Sequence, residues 1–310
     1  MPILPPTRET IAAAAEALRR GLLVGMPTET VYGIAALAHD PVAVARTFAA
    51  KRRPGDNPLI VHLASADELP RVAREVPAAA RQLATAFWPG PLTLVLRRRP
   101  TVLDCVTAGL DTVAVRVPDH AVARELLAAV GEPLSAPSAN TFMHLSPTTA
   151  ADIEPELRQQ LAMVLDGGPC RVGLESTVVD CTGTPRVLRP GGVSRAELEA
   201  VLGQPVPLLG GDDRGPRASP GRYTRHYAPV TPLRLAATLA PGDTGLTFAA
   251  PSGPQQVQMP REPSAYGAAL YRVLHALDAV AATAIVVQEP PAEPAWEAVR
   301  DRLAKAAASD

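Results

Sequence analysis

The chain is poor in cysteine, since only three occur among its 310 residues: Cys105, Cys170 and Cys181. None of them belongs to a Cys-x-x-Cys pair or has a histidine at ligand spacing. This pattern argues against a disulfide framework and against a structural zinc site. It predicts a reducing, cytoplasmic location.

The chain also lacks a strong net charge and a long apolar run. Its formal net charge is −1 at pH 7, so no global field attracts it to nucleic acid or to a membrane. No apolar run approaches the ~20 residues of a membrane-spanning helix, and residues 1–10 lack the basic start and apolar core of a signal peptide. We therefore expect no membrane contact. Because aromatic residues make up only 4% of the sequence, the core must depend on leucine, valine and alanine.

Several familiar catalytic motifs are missing. The sequence contains no Gly-x-x-x-x-Gly-Lys-Ser/Thr phosphate loop and no strand–Gly-x-Gly-x-x-Gly–helix dinucleotide fingerprint. It also contains no Gly-x-Ser-x-Gly nucleophile elbow and no His-Glu-x-x-His zinc motif. A nucleotide site in this chain would need another geometry.

The first two-thirds of the chain alternates short apolar runs with alanine- and leucine-rich stretches. The predicted helices cover 10–21, 30–38, 41–53, 66–88 (with proline interruptions), 121–131, 148–161 and 194–203. The predicted strands cover 22–26, 59–63, 91–99, 112–117, 133–140, 162–166, 176–181 and 185–189. Thr148 and Ser194 are the expected N-caps of the last two helices, and Glu197 completes a capping box with Ser194. Because the later strands follow one another without helices, we predict an α/β domain with a mixed sheet.

A break rich in proline and glycine divides the chain. We predict a large α/β domain over 1–204, a linker over 205–230 and a small α/β domain with a parallel sheet over 231–310. The linker holds the segment SPGRYTRHYAP at 219–229, whose aromatic and basic residues a plain spacer does not need. We expect it to fold over the open sheet as a lid, although a rigid proline-bounded spacer would explain its prolines and glycine.

Four segments place polar side chains at the ends of predicted strands, where open α/β sheets build their sites. PTETVYG at 27–33 offers hydroxyl groups and the N–H groups of a predicted helix start, which suit a carboxylate. Capping of that helix by Thr28 would explain the same residues. SAPSAN at 135–140 offers neutral donors for phosphate or ribose oxygens, and a simple turn would explain it equally.

The other two segments add charge. KRRPGDNPLIVH at 51–62 has three consecutive cations at a predicted helix C-terminus, where they also favour the helix dipole. A stiff turn follows, and arginine and lysine held this way suit a polyphosphate. GLESTVVD at 173–180 and RVLRPGG at 186–192 place a serine and an arginine at strand ends. Arg116 is a single charge within an apolar strand, so it must meet an anion from the protein or from a ligand.

Eight segments, in this order and at these intervals, resemble the YrdC-like family, and the match covers roughly residues 10–202. They are PTETVYG, KRRPGDNPLIVH, WPGPLTLVL, VAVRVP, SAPSAN, SPTTA, GLESTVVD and LRPGG. The linker and the small second domain resemble the long, two-domain form of the family. The resemblance implies a twisted open mixed sheet with a basic concave face, and a second, small Rossmann-like α/β domain.

The resemblance also implies an activity: synthesis of L-threonylcarbamoyladenylate from L-threonine, bicarbonate and ATP, with release of pyrophosphate. A threonylcarbamoyl transferase then modifies the tRNA adenosine beside the anticodon. Mg²⁺ is expected to accompany ATP, held mainly by phosphates, and no protein metal site is expected. No protein nucleophile is required, because positioning and positive charge at the phosphates supply most of the catalysis.

The resemblance assigns site residues in two groups, with Lys51 and Arg53 as the catalytic pair. The residues expected to bind L-threonine are Thr30, His62, Arg116 and Ser176, with Arg116 pairing the substrate carboxylate. The residues expected to bind ATP are Arg53, Asn57, Thr112, Ser138, Asn140, Ser146, Arg189 and Tyr227. Relatives often have a basic residue and a glycine in the 140–149 loop, where this chain has Thr141, Met143 and His144, and Arg52 adds a charge to the usual Lys-Gly-Arg.

Two other functions remain open from the sequence. A non-catalytic protein that binds double-stranded RNA or tRNA would use the same basic face, and KRR at 51–53 and RRR at 97–99 offer phosphate contacts. The net charge and the absence of an aromatic stacking platform argue against it, although a weak RNA contact stays open. Transfer from carbamoyl phosphate is the second alternative, but the relatives that perform it carry zinc-finger modules, which need Cys-x-x-Cys pairs.

Overall fold

Strands and helices alternate along the computed structural model, which describes residues 2–209, 223–280 and 282–308. Part of the predicted linker, including the first four residues of SPGRYTRHYAP, lies outside the described residues. Within the described ranges the chain forms fourteen strands and ten α-helices.

The strands fall into two sheets. The first ten are β1 (Ile3–Leu4), β2 (Val24–Met26), β3 (Gly33–Leu37), β4 (Ile60–His62), β5 (Leu92–Arg97), β6 (Thr112–Arg116), β7 (Leu134–Ser135), β8 (Met163–Leu165), β9 (Thr177–Asp180) and β10 (Arg186–Arg189). The last four are β11 (Leu233–Ala236), β12 (Thr244–Thr247), β13 (Gln256–Gln258) and β14 (Ile285–Gln288).

The helices cover the faces of these sheets. They are α1 (Arg8–Arg19), α2 (Pro41–Lys51), α3 (Leu69–Val72), α4 (Ala78–Phe87), α5 (Asp104–Thr107), α6 (Ala121–Val130), α7 (Pro155–Arg158), α8 (Arg195–Leu202), α9 (Pro263–Asp278) and α10 (Glu297–Ala307).

The first sheet has the order β1-β8-β2-β3-β7-β4-β6-β5-β9-β10. It mixes parallel pairs, such as β4 with β6, and antiparallel pairs, such as β5 with β6. The predicted mixed sheet is therefore confirmed. Its buried strand residues and the facing helices form cores of leucine, valine and alanine, as the scarcity of aromatic residues predicted.

The second sheet is entirely parallel, in the order β11-β14-β12-β13. Its core is aromatic by comparison, because Phe248, Tyr266 and Trp296 pack edge to face or tilted at centroid distances of 5.4–5.5 Å. The predicted small parallel sheet is confirmed, and β13 is a strand that the sequence did not reveal. The domain limits at 204/205 and 230/231 remain predictions.

The helix predicted over 30–38 is wrong, because residues Gly33–Leu37 form β3. The alanines there favour a helix, but β3 is antiparallel to β2 and to β7, one on each side. All five residues of β3 are buried. Pairing on both edges therefore outweighs the intrinsic preference of alanine.

The helix predicted over 148–161 is also wrong in extent. The structure has a 3-10 turn over Ala150–Asp152 and the short helix α7, with Pro155 at the first position of α7. The cap of the turn is Thr149 rather than Thr148. By contrast, the predicted capping box of Ser194 with Glu197 is confirmed at the start of α8.

None of the described helices is long and apolar enough to cross a membrane.

Candidate active site

Two strands that lie side by side carry the centre of the site. His62 ends β4 and Arg116 ends β6, and the parallel register pairs these two residues. Both are buried. The carboxyl ends of neighbouring parallel strands thus place an imidazole beside a guanidinium, as the strand-end argument predicts.

The segment PTETVYG is a turn between β2 and β3, not a helix start. The Thr28 hydroxyl donates to the Val31 carbonyl at 2.6 Å and accepts from the Thr30 and Val31 N–H groups at 3.2 Å. Capping of a helix by Thr28 was therefore wrong, because no helix follows. The hydroxyl instead fixes the turn that holds Thr30 in the site.

Arg116 already has partners within the protein. Its Nη2 lies 2.6 Å from Glu29 Oε1, its Nη1 donates to Thr30 Oγ1 at 2.8 Å, and its Nε donates to the Gly90 carbonyl at 3.2 Å. The anion that the sequence required is thus supplied by Glu29, whose side chain is fully buried. The sequence did not single out Glu29, although it lies inside the PTETVYG segment.

His62 is held neutral. Burial of the ring lowers the pKa of His62 to about 3, and the charge of Arg116 acts in the same direction. Its Nδ1 has no hydrogen-bond partner among the described residues, although it is buried. A neutral imidazole beside Arg116 can offer one donor and one acceptor to a ligand.

Lys51 is the last residue of α2 and Arg53 follows its C-cap Arg52, and the two side chains contact different groups. Lys51 Nζ donates to the carbonyl oxygens of Ser138 and Asn140, the latter at 2.6 Å. Arg53 donates to the carbonyl oxygens of Asn57 and Pro58 at 3.3 and 2.9 Å. Burial lowers the pKa of Lys51 well below its usual value, and burial lowers the pKa of Arg53 to about 10.

Ser176 and Arg189 meet where β9 and β10 pair. Arg189 donates to the Ser176 carbonyl at 2.9 Å and to its hydroxyl at 3.2 Å. The Ser176 hydroxyl also lies 2.8 Å from Thr93 Oγ1 on β5. Three neighbouring strand segments therefore fix this side of the site.

Glu175 is a buried carboxylate that the sequence analysis did not assign to the site. Its Oε1 accepts from the Ser146 hydroxyl at 2.6 Å. Its Oε2 accepts from Tyr271 at 3.1 Å and from Arg302 Nε at 2.7 Å, both in the second domain. Burial alone would raise the pKa of Glu175, but the charges of Arg302 and Arg189 bring it down to about 2.

The described end of the linker lies against the site. The Tyr227 ring packs edge to face on the His226 ring, with the centroids 4.0 Å apart, and the Tyr227 hydroxyl is 3.5 Å from Arg189 Nη1. Tyr227 has a φ of 58°, in the left-handed region. The backbone N–H of Ala228 donates to the Met143 carbonyl at 2.9 Å. These contacts hold the linker on the 140–149 loop.

The three unusual residues of that loop have structural partners. The Thr141 hydroxyl donates to Glu154, and His144 Nδ1 lies 2.8 Å from the same carboxylate. Met143 has a φ of 74°, a conformation that favours the glycine expected in relatives. The loop is thus tied to the start of α7 rather than extended toward the site.

These groups surround a cavity of ≈ 50 Å³. The candidate residues that line it are Thr30, Arg53, His62, Arg116, Ser138, Ser176, Arg189 and Tyr227, and Glu175 and His226 join them. The candidates outside this lining are Lys51, Asn57, Thr112, Asn140 and Ser146.

Apart from Thr112, the candidates outside the lining contact residues that form it or lie next to it. Lys51 and Asn140 hold the backbone beside Ser138, and Ser146 bonds to Glu175. Asn57 is buried beside Arg53, and neither of its side-chain polar atoms has a partner among the described residues. Thr112 begins β6, at the opposite end of that strand from Arg116.

Buried positive charge dominates the site. Arg53, Arg116, Arg189 and Lys51 are all buried there, against the two carboxylates Glu29 and Glu175. In the part of the chain that the structure describes, no group of three or more His, Cys, Asp or Glu side chains could hold a metal ion. The arrangement therefore suits an anionic ligand bound by arginine forks and hydroxyl groups.

Comparison with known families matches nearly the whole chain. Residues 16–191 match the Sua5/YciO/YrdC family model, described as "Telomere recombination". Residues 193–308 match a second model, described as "Threonylcarbamoyl-AMP synthase, C-terminal domain". The two matches meet just before the start of α8.

Two curated relatives are named threonylcarbamoyl-AMP synthase. The protein of Pyrococcus abyssi is 47% identical over 222 residues, which are 71% of this chain and 65% of the relative. The protein of Bacillus subtilis is 45% identical over 229 residues, which are 73% of this chain and 66% of the relative. The chain thus spans slightly less than two thirds of the length of these relatives.

Two solved structures of Pyrococcus abyssi Sua5 share the fold over both domains. A doubly substituted variant has a TM-score of 0.91 at 34% identity, covering 99% of this chain and 96% of that chain. The form complexed with L-threonine has a TM-score of 0.89 at 35% identity, covering 97% of this chain and 95% of that chain. The arrangement of the two domains is therefore similar in these proteins.

Proposed function

Because the chain belongs to the Sua5/YciO/YrdC family, we propose that it makes L-threonylcarbamoyladenylate from L-threonine, bicarbonate and ATP. The observation that carries the proposal is the convergence of buried arginines and hydroxyl groups on one cavity at the strand ends. An amino-acid carboxylate and a triphosphate are both anions, and the site offers separate cations to each. A solved relative complexed with L-threonine supports the choice of amino acid.

L-threonine would bind on the β4–β6 side. Arg116 pairs with the substrate carboxylate, while Thr30 and His62 contact its polar groups and Ser176 closes the pocket. Because His62 is neutral, it does not repel the substrate ammonium group. The buried Glu29, which does not line the cavity, balances the charge of Arg116.

ATP would bind on the β9–β10 side and under the linker. Arg53 and Arg189 face the phosphates, and Ser138 and Tyr227 contact the nucleotide. Asn57 offers a buried amide without a partner among the described residues. Lys51, Asn140 and Ser146 support this wall, and Thr112 would contribute from the start of β6. Lys51 and Arg53 are proposed as the catalytic cations.

The proposed reaction needs no protein nucleophile. The threonine amine adds to CO₂ derived from bicarbonate and loses a proton, which gives a carbamate. A carbamate oxygen attacks the α-phosphorus of ATP, the bond from that phosphorus to the bridging β-oxygen breaks, and pyrophosphate leaves with the electron pair. Arg53 and Arg189 stabilise the charge that develops on the phosphates.

Mg²⁺ would be held by the phosphates and water. Mg²⁺ gives up its water reluctantly, so in nucleotide sites it keeps several waters and binds substrate phosphates rather than a cage of protein ligands. Bound there, the ion would neutralise phosphate charge.

The product is proposed to pass to a threonylcarbamoyl transferase that modifies tRNA beside the anticodon, in the cytoplasm. A mixed anhydride of this kind is hydrolysed readily, so exclusion of water matters until transfer. The linker residues His226 and Tyr227, which cover the cavity, would provide that exclusion. A direct RNA contact, if present, would be weak and salt-dependent.

The function is tested by incubating the protein with ATP, bicarbonate and each amino acid in turn, and measuring pyrophosphate. We expect release that depends on L-threonine and on bicarbonate, and serine measures how strictly the side-chain methyl is read. Arg53→Ala should abolish release while the circular dichroism spectrum is retained. Equal rates of pyrophosphate release with and without L-threonine would contradict the proposed function.

A further inference from the structure

Helix α10 of the second domain carries an arginine into the wall of the candidate site. The side chain of Arg302 is fully buried. Its Nε donates to Glu175 Oε2 at 2.7 Å and its Nη2 donates to the Pro190 carbonyl at 3.0 Å. Its Nη1 donates to the neighbouring Asp301 at 2.5 Å. A buried guanidinium with every nitrogen engaged is held in one orientation.

The partners of Arg302 adjoin candidate ligands of ATP. Glu175 accepts from the Ser146 hydroxyl, and Pro190 follows Arg189 in the chain. Glu175 also precedes Ser176, a candidate threonine residue. The guanidinium carbon also lies 4.8 Å from the ring centroid of Tyr227, within the range of a cation–π contact. One side chain thus contacts both sides of the nucleotide wall and the linker that covers it.

Arg302 also sets the charge balance behind that wall. The carboxylate of Glu175 lines the cavity and would otherwise compete with phosphates for the neighbouring Arg189. Arg302 is not in the lining, so it neutralises Glu175 from the far side. Glu175 Oε1 also accepts a hydrogen bond from the Ser146 hydroxyl at 2.6 Å. By holding Glu175 in place, Arg302 therefore fixes the orientation of that hydroxyl group.

Most of the threonine side has no contact with Arg302. Arg116 and Thr30 contact Glu29, Gly90 and each other, all within the first domain. The side-chain contacts of Arg302 lead to the candidate ATP residues Ser146, Arg189 and Tyr227, and only the backbone of Glu175 connects it to Ser176.

We propose that Arg302 is a positioning residue for ATP: it acts from the second domain through Glu175 and Tyr227, and touches no substrate. The inference rests on the proposed function only in naming ATP as the ligand of this wall. It predicts that substitution of Arg302 weakens the affinity for ATP more than the affinity for threonine. Substitution of a purely structural residue would weaken both affinities together.

The test compares Arg302→Met, Arg302→Lys and the matched control Arg300→Met, which removes an exposed arginine from the same helix. Calorimetry measures ATP binding without threonine and threonine binding without ATP. Since hydrogen bonds to a charged group are lost, we expect the ATP Kd of Arg302→Met to rise about tenfold. Its threonine Kd should stay within about twofold of the wild-type value.

Arg302→Lys keeps the positive charge but not the planar guanidinium, so its ATP Kd should rise by about threefold. Arg300→Met should change neither Kd.

An unchanged ATP Kd, or an equal loss of both affinities, would overturn the proposal. If Arg302→Met does not fold, Arg302→Lys decides, because it leaves no buried carboxylate without a counter-charge: an unchanged ATP Kd in that variant contradicts the positioning role. Binding is measured without turnover, so a wild type that binds ATP but releases no pyrophosphate contradicts the proposed function alone. A wild type that does not bind ATP contradicts both.

Discussion

At the scale of single residues, Arg116 is constrained by its internal partner as much as by a substrate. Arg116→Met leaves the buried carboxylate of Glu29 without its counter-charge, which should cost about 3 kcal/mol or more in the free energy of unfolding. It should also abolish threonine binding. Urea denaturation and calorimetry measure the two effects separately.

The double variant Glu29→Gln/Arg116→Met is the control for this prediction. It removes both charges, so it should recover most of the lost stability but none of the threonine affinity. Recovered threonine binding in the double variant would show that Arg116 serves the fold and not the substrate.

A second residue-scale prediction concerns acid stability. The folded protein holds the pKa of His62 at about 3, whereas the unfolded chain has the ordinary value near 6.5. Between these values the unfolded state binds the extra proton, so stability is lost as the pH falls from 6.5 toward 3. His62→Gln should reduce the loss between pH 6.5 and 4.5 by about 2 kcal/mol.

Denaturant midpoints at the two pH values measure this effect, with His39→Gln as the control at an exposed histidine. An equal acid loss in the wild type and in His62→Gln would contradict a buried neutral ring.

The residue pattern indicated site residues where charged or polar side chains interrupt or follow an apolar run. His62 and Arg189 end such runs, and Arg116 is a single charge within one. Glu29 and Glu175 were missed, because a carboxylate beside hydroxyl residues looks like part of a solvated turn. Arg302 lies in an ordinary amphipathic helix 127 positions from Glu175, so no local pattern could connect the two.

At the scale of elements, the turn after β10 packs directly on the start of β9. A Cβ atom on Gly191 would overlap the Glu175 carbonyl oxygen and the Thr177 nitrogen. Gly191→Ala should therefore displace the backbone around Ser176, lowering stability by about 2 kcal/mol and weakening threonine binding. Thermal unfolding and calorimetry measure both.

Gly183→Ala is the matched control, because a Cβ atom there would have no neighbour within 4 Å. It should leave the melting temperature and the threonine affinity unchanged. A harmless Gly191→Ala would mean that β9 can move away from the turn without loss.

Most elements could be predicted because the spacing of apolar residues and the capping residues indicate the same element, as they do for α8 with Ser194 and Glu197. One exception is the helix predicted over 148–161, and another is β3, where alanine content indicated a helix. Its strand conformation depends on β7, which follows about 100 residues later, so only the assembled sheet reveals it. The same reason explains the missed β13, a short strand rich in glutamine.

At the scale of the whole molecule, we predict that the linker moves when ATP, the proposed ligand, enters the cavity. The cavity of ≈ 50 Å³ is far smaller than the roughly 300–1,000 Å³ typical of ligand pockets. His144 and Ala228 form a parallel backbone bridge between the 140–149 loop and the linker. A disulfide between cysteines at these two positions, in a chain with the exposed Cys105→Ser, should lock the linker in place.

We expect the oxidised His144→Cys/Ala228→Cys protein to release pyrophosphate at least about tenfold more slowly than its reduced form, since a locked lid blocks entry. The single variant His144→Cys, treated with the same oxidant, controls for loss of the Glu154 contact. Equal rates in the oxidised and reduced forms would show that ATP enters by a route that does not need the linker to open.

The pair formed by Glu175 and Arg302 has a consequence for how such chains can be recombined. The carboxylate belongs to the first domain and its guanidinium to the last ten residues of the chain. A hybrid that joins the first domain of this protein to a second domain without the arginine would inherit a buried, uncompensated charge. The two domains are therefore exchangeable only as a matched set.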